Sequence, residues 1–368
     1  AQQAGLSPLL GSSPDVGAVG YVLGGGLGWL ARKHGLAADT VRYFEVVTAD
    51  GSIIRSGPDE HPEVFWALRG GGIGSLGVVT GMEVELFPVS TVYAGNLYYP
   101  AEAARRVMSR YRDWIDTVPD EMTSSVVLMN YPPIDGIPES LRGRSFVIVR
   151  GCYCGPTTDG VDLMSFWRDW ETPAIDAFGE MDFRDVGTIS NDPVDPLPGY
   201  SGTEWLRELD DAVIDTLIGH GLPEAGSPCP VTVTEVRHVG GAVARGGDVP
   251  AAYGNRNETL LLQVIGATPT REAHEHLVGH VNRLGLSLRD HVSSSVYLNF
   301  LDGEEKLNRT RSAFTDDTWR RLQALKAAID PSDLFRFGVD LSTHPTRPDE
   351  TTAVVSTRNR APARWPGA

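Results

Sequence analysis

The residues of this chain whose type and spacing could do chemistry begin with bare backbone. The stretch Gly11-Ser12-Ser13-Pro14-Asp15-Val16-Gly17-Ala18-Val19-Gly20-Tyr21-Val22-Leu23-Gly24-Gly25-Gly26-Leu27-Gly28 places six glycines between Gly17 and Gly28. Glycine is costly inside a helix or strand, so such density implies positive φ angles or a close approach by something else. A run of N–H groups without side chains can wrap an anion or the edge of a flat ring. A tight irregular turn packed beneath a sheet would use the same residues. Further along, Val231 to Val239 reads as a strand. Alternation puts Glu235 and Arg237 on one face and Thr234, Val236 and His238 on the other. Glu235 beside Arg237 reads as an ion pair or a solvated edge. His238, with an ordinary pKa of about 6.5, suits proton abstraction, although a histidine before Gly-Gly also reads as a turn cap. Cys152-Tyr153-Cys154 places two thiols on one strand face. With Cys229 the count is odd and the spacing irregular, so buried structural thiols are expected rather than a disulfide framework, a metal site or a redox pair.

The elements that must position these groups fall into three blocks. After the glycines comes a short element, Trp29 to His34. Val41 to Thr48 and Ser52 to Arg55 then flank the hairpin signal Ala49-Asp50-Gly51. Pro62 opens a helix through Leu68, and Arg69 to Ser75 forms a second glycine loop. Val78 to Leu86 alternates as a half-buried strand. Two glycine loops flanking hairpins, with one short helix between, do not make a βαβ nucleotide fold, and no G-x-G-x-x-G falls at a strand-to-helix junction. From about residue 90 the spacing predicts strands over 92–99, 126–131, 146–154, 231–239 and 260–265. Helices are expected over 102–116, 159–170, 205–220 and 271–284. Ile189 to Gly202, rich in Pro, Asp and Gly, reads as a long surface loop. The last block has a strand-like Ser293 to Phe300, a helix over 318–329 stopped by Asp330-Pro331, and a mobile tail from Ser342.

At 368 residues, two domains are expected. A formal charge of −16 argues against nucleic acid and anionic membrane surfaces as partners. No apolar run reaches membrane-spanning length and no signal peptide is visible, which makes the cytoplasm the default compartment.

Residues 11–89 resemble the second half of the FAD-binding domain of the vanillyl-alcohol oxidase (PCMH-type) superfamily, most closely its berberine-bridge-enzyme-like branch. The resemblance rests on the 11–28 stretch, on Glu45 to Gly51, on Phe65 to Gly72 and on Gly77-Val78-Val79-Thr80. It extends to Glu235 to Ala242, to Tyr297-Leu298-Asn299-Phe300, and to Asp330-Pro331 with Leu334-Phe335-Arg336. It implies an α+β fold divided into an FAD-binding lobe (1–89), a substrate domain on an antiparallel sheet (90–290), a return to the FAD-binding domain (291–341) and the tail (342–368). It also implies a flavoprotein oxidoreductase that moves a hydride from a small organic substrate (an alcohol, sugar or secondary metabolite) to flavin N5, with FAD as cofactor and no metal. By position, the cofactor contacts are Ser12, Ser13, Val16, Gly17, Gly20, Gly24, Gly25, Gly28, Val79, Tyr297 and Asn299.

Three departures from the family pattern stand out. The family begins with a further flavin-binding lobe, and this chain starts after it. A sheet lacking those strands would leave an exposed edge and apolar face. Ser13 occupies the position of a cysteine that bonds covalently to the flavin, and a hydroxyl cannot replace that thiolate. Phe300 stands where many members have a catalytic tyrosine, so a base must come from elsewhere; Glu235, His238 and Tyr253 are the candidates. The alternative reading is a shortened, non-catalytic homologue or binding module.

Overall fold

Two antiparallel sheets organise the computed structural model, which describes residues 1–13, 15–193, 197–224 and 228–341; the expected tail from Ser342 lies outside the described residues. The glycine stretch contains a helix that its composition hides, α1 (Ala18–Leu23), followed by α2 (Ala31–His34). Strands β1 (Val41–Val47) and β2 (Ile53–Ser56) form the expected hairpin. Helix α3 (Pro62–Leu68) begins on its proline, and β3 (Val78–Val84) returns beside β1. The order β2-β1-β3 leaves Ile53 and Val78 exposed at 70% and 52%. The other side of this sheet packs Phe44 and Val46 against Phe65, Ala67 and Leu68 of α3.

The larger sheet comprises β4 (Thr91–Pro100), β5 (Met122–Asn130), β6 (Ser145–Tyr153), β7 (Ile175–Asp176), β8 (Gly179–Asp182), β9 (Gly199–Leu206), β10 (Val233–His238) and β11 (Leu260–Ala267). Its order is β7-β4-β6-β5-β10-β11-β9, with β8 also paired to β4. Helices α4 (Ala104–Ile115), α5 (Thr157–Arg168), α7 (Asp211–Gly221) and α9 (Arg271–Leu288) cover one face; α6 is the single turn Gly187–Ser190. In α4 the buried residues Val107, Met108, Tyr111, Trp114 and Ile115 recur at helical spacing, so one stripe of the helix meets the sheet. Helices α8 (Ala242–Arg245), α10 (Glu305–Asn308) and α11 (Asp316–Ile329) complete the chain, and α11 packs on α3, carrying the C-terminal segment back to the first sheet. The fold is α+β.

Three sequence expectations are corrected. Residues 205–220 are not one helix. Trp205 and Leu206 end β9, paired with Leu261 and Leu260, and α7 starts only at Asp211, where the Asp210 carboxylate accepts the Val213 N–H at 2.7 Å. That N-cap fixes the start, and burial of Trp205 fixes the strand. The expected loop over 189–202 accordingly ends in strand β9. Finally, Ser293 to Phe300 is not a strand: among the described residues its neighbourhood makes one bridge, Leu206 with Val292, and residues 298–300 form a 3₁₀ turn. Side-chain bonds to the glycine segment, described next, hold it instead. Both Cys152 and Cys154 are free and buried, and burial pushes the Cys154 thiol up to about 11.

Candidate active-site cleft

Opposite its helices, the large sheet presents a band of polar side chains. Asn96, Arg150, Ser125, Glu235, Arg237 and Gln263 come from β4, β6, β5, β10 and β11, five strands brought side by side by their register. Glu235, 2% exposed, is the hub. It accepts hydrogen bonds from Ser125 Oγ at 2.6 Å and Arg237 Nε at 2.9 Å, and it pairs with Arg150 at 3.5 Å. Burial alone would raise its carboxyl, but Arg237 and Arg150, with the Ser125 hydrogen bond, hold it below the ordinary carboxylate value. Asn96 and Arg150 donate to the carbonyls of Ile189 and Ser190. They thereby fasten α6, after which Asn191 turns through the left-handed region at φ 50°. Asp192 follows on the cleft wall, where it accepts from Ser13.

This band floors a cleft of about 920 Å³. Its opposite wall is the first half of the glycine stretch, with Ser12, Ser13, Val16, Gly17, Gly20 and Tyr21 on the lining. A Cβ added at Gly17 or Gly20 would meet nothing within 4 Å. Tyr297, Asn299 and Phe300 close the end. Tyr297 is 1% exposed; its Oη accepts the Leu27 N–H at 2.9 Å and a bond from Asn299 Nδ2 at 3.1 Å. The same Asn299 amide donates to the Tyr21 carbonyl at 2.9 Å. The front and back of the chain therefore meet here through two of these hydrogen bonds, and the third ties Tyr297 to Asn299. Arg237 joins the walls across the cleft: it donates to Ser12 Oγ at 3.1 Å, and its guanidinium lies 5.0 Å over the Phe300 ring.

The other proposed contacts lie elsewhere. Gly24, Gly25 and Gly28 are turned into protein. Their Cβ positions would fall 1.9 Å from Asn299 Oδ1, 2.8 Å from Tyr253 Cδ2 and 1.8 Å from the Leu10 carbonyl oxygen. These three glycines give room to protein atoms, as in the packed-turn reading, and stand behind the cleft rather than on its lining. Val79 is on β3, packed against the first core. Of the three candidate bases, Glu235 faces the cleft. His238 points to the other side of β10, with Nε2 2.9 Å from Arg32, and burial and that arginine push its pKa down to about 3. Tyr253 lies behind Gly25 and Gly70 with its ring 6.3 Å from that of Tyr297, and burial drives its hydroxyl far above the ordinary range. Sequence reasoning passed over Asp192, Arg150, Ser125 and Gln263. The polar residues of β5 and β6, breaking otherwise apolar runs, were the available signal for two of them.

The cleft suits a flat, polar-edged ring. One wall is backbone with space where side chains would be, one end carries an amide and a phenol fixed by hydrogen bonds, and a cation spans the floor. The residues present thus fit FAD. Comparison with known proteins agrees. Residues 1–57 match the family described as FAD binding domain, and residues 296–338 match the one described as berberine and berberine like. YgaK of Bacillus subtilis, an FAD-linked oxidoreductase, is 27% identical over 342 residues, covering 91% of this chain and 72% of that protein. The FAD-linked oxidoreductase aurO of Gibberella zeae is 27% identical over 317 residues, 82% of this chain and 57% of that protein. The solved structure of 6-hydroxy-D-nicotine oxidase from Arthrobacter nicotinovorans superposes with a TM-score of 0.79 at 20% identity, covering 94% of this chain and 75% of that one. The fold is that of a PCMH-type flavoprotein, and FAD is its cofactor. Within that class the chain is similar to the berberine-bridge-enzyme-like FAD-linked oxidoreductases.

Proposed function

We propose that the cleft oxidises a small organic substrate, an alcohol, sugar or secondary metabolite, seated between the polar band of the sheet and FAD. When bound, FAD supplies hydride acceptance at N5; the protein supplies position, charge and a proton acceptor. In this reading the open backbone at Gly17 and Gly20, with Ser12, Ser13 and Val16, lies along the cofactor, and Tyr297 and Asn299 fix its end. A carbon that gives up a hydride with its bonding pair must also lose a proton from the attached oxygen or nitrogen. Glu235 is poorly suited to take it, because two arginines stabilise its anion. Asp192 is better suited: desolvation by the cleft walls raises its carboxyl above the ordinary value, against the pull of Arg150 and Arg237. Its accepting form is lost as the pH falls through that raised value.

The observation that carries this reading is the convergence of Gly17 and Gly20 with Tyr297 and Asn299 on one cleft floored by the substrate-domain sheet. The test is reconstitution of the purified protein with FAD, followed by anaerobic mixing with panels of alcohols, sugars and cyclic amines. The expected protein is yellow, with flavin co-eluting on sizing, and one substrate class bleaches it. Asp192→Asn should slow bleaching by about 100-fold or more while leaving FAD bound. A folded protein that takes up no FAD would sink the proposal.

A further inference from the structure

We propose that Arg237 sets the electron affinity of the bound cofactor, and that Glu235 is the group that holds it there. This rests on the reading that FAD occupies the cleft. Arg237 touches the glycine wall at Ser12, the sheet floor at Glu235 and Gln263, and the end of the cleft at Phe300. Its Nε is held by Glu235 on its own strand; one terminal nitrogen reaches Ser12 Oγ at 3.1 Å, the other Gln263 Oε1 at 3.5 Å; and its plane covers Phe300 at 5.0 Å. A surface arginine would sweep many rotamers, but these four contacts leave this one a single position. Phe300 adds to the effect: at a position without a hydroxyl, the aromatic face steadies the cation instead.

The charges around it are unequal. Glu235 carries one negative charge and shares it between Arg150, at 3.5 Å, and Arg237, at 2.9 Å. The triad is therefore one positive charge in excess, and Arg237 is its member that reaches the Gly11–Gly20 wall. Asp192, which accepts from Ser13 next to Ser12, is the opposing carboxylate. Taking up two electrons and one proton adds one negative charge to a flavin ring. A fixed cation beside that ring, in a site of low dielectric, stabilises the charged product over the neutral starting form. Since Arg237 is already held in place, no reorganisation is needed when the charge appears.

The experiment is a reductive titration of the FAD-loaded protein against a reference dye, with no substrate present. Arg237→Gln removes the charge but keeps hydrogen-bond donors, Arg237→Lys keeps the charge but loses the fork, and Glu235→Gln removes the opposing anion. Arg237→Gln should make reduction at least about tenfold less favourable, a shift of about 30 mV to more negative potential for a two-electron couple. Arg237→Lys should stay within about threefold of the parent. Glu235→Gln should shift the potential the other way, a sign that simple damage to the site would not produce. An unchanged potential in Arg237→Gln, or an equal fall in Arg237→Lys, overturns the proposal. So does loss of FAD from both arginine variants, which would make the residue structural. A parent protein that binds no FAD would instead sink the reading beneath it.

Discussion

The two halves of the glycine stretch share a composition and have opposite reasons for it. From Gly17 to Gly20 the missing side chains leave space, and that space is the cleft wall. From Gly24 to Gly28 they leave no space, because Asn299, Tyr253, Tyr21 and Leu10 already occupy it. The first half leaves room on the cleft side; the second is close-packed for the fold, and its packing fixes where Tyr297 and Asn299 sit. The same division runs through β10, where Glu235 and Arg237 face the cleft and His238 is locked behind it against Arg32. The region therefore pairs a close-packed back with an open, cleft-facing front.

The largest expected effect comes from breaking the back. Gly28→Ala would put a methyl group 1.8 Å from the Leu10 carbonyl oxygen, a backbone atom that cannot swing aside. The expected cost is more than about 4 kcal/mol, seen as a protein that fails to fold or unfolds in very little urea. Gly24→Ala should be milder, at about 1–3 kcal/mol, because its clash is with the end of the Asn299 side chain and with Ile73. Displacing Asn299 would also cut its bond to the Tyr21 carbonyl, so FAD retention should fall together with stability. If Gly24→Ala binds FAD like the parent, Asn299 does not organise the cleft.

Breaking the front should separate the two properties. Gly20 is inside helix α1 and faces open space, so Gly20→Ala should raise the stability of the cofactor-free protein by about 0.5–1 kcal/mol. The same methyl group projects where the cofactor is proposed to lie, so FAD affinity should drop about tenfold, or about 1.4 kcal/mol. Calorimetry without FAD and a binding titration read the two changes independently. A Gly20→Ala protein that is more stable and binds FAD unchanged would mean this wall is not the cofactor's.

How much of this could be read from the chain follows from how local each cause is. The β1–β2 hairpin, α4, α11 and the alternation along β10 rest on patterns within a few residues, and they were legible. The glycine run announced a special backbone but not its direction, since whether Gly20 or Gly24 faces space depends on Asn299, more than two hundred residues away. The polar band was illegible for the same reason: Asn96, Arg150, Ser125, Glu235 and Gln263 meet only through sheet register. The helix expected over 205–220 runs back over β9 because Leu206 shares a helical stripe with Leu209, Val213 and Leu217; the strand partners of Trp205 and Leu206, Leu261 and Leu260, lie far along the chain. Alternation placed His238 opposite Glu235 but could not show that Arg32 would meet it.

That meeting supplies the smallest effect and the finest test of the division. With its pKa pushed down to about 3 in the folded protein, His238 stays neutral while the unfolded chain takes a proton near its ordinary value of about 6.5. Above that value both states are neutral and the residue has no pH effect. Below it the unfolded state binds more protons, so stability falls with falling pH, by at most about 1.4 kcal/mol per unit and by less than about 1 kcal/mol at pH 6. His238→Gln keeps an acceptor for Arg32 and removes the titration, so urea unfolding at pH 7.5 and pH 5.5 should show a smaller loss in the variant than in the parent. The flavin potential should stay the same in both, because His238 faces away from Arg237 across the strand. A potential that moved with His238→Gln would mean that the back of β10 reaches the cleft after all, and the separation of supporting and working faces would have to be redrawn.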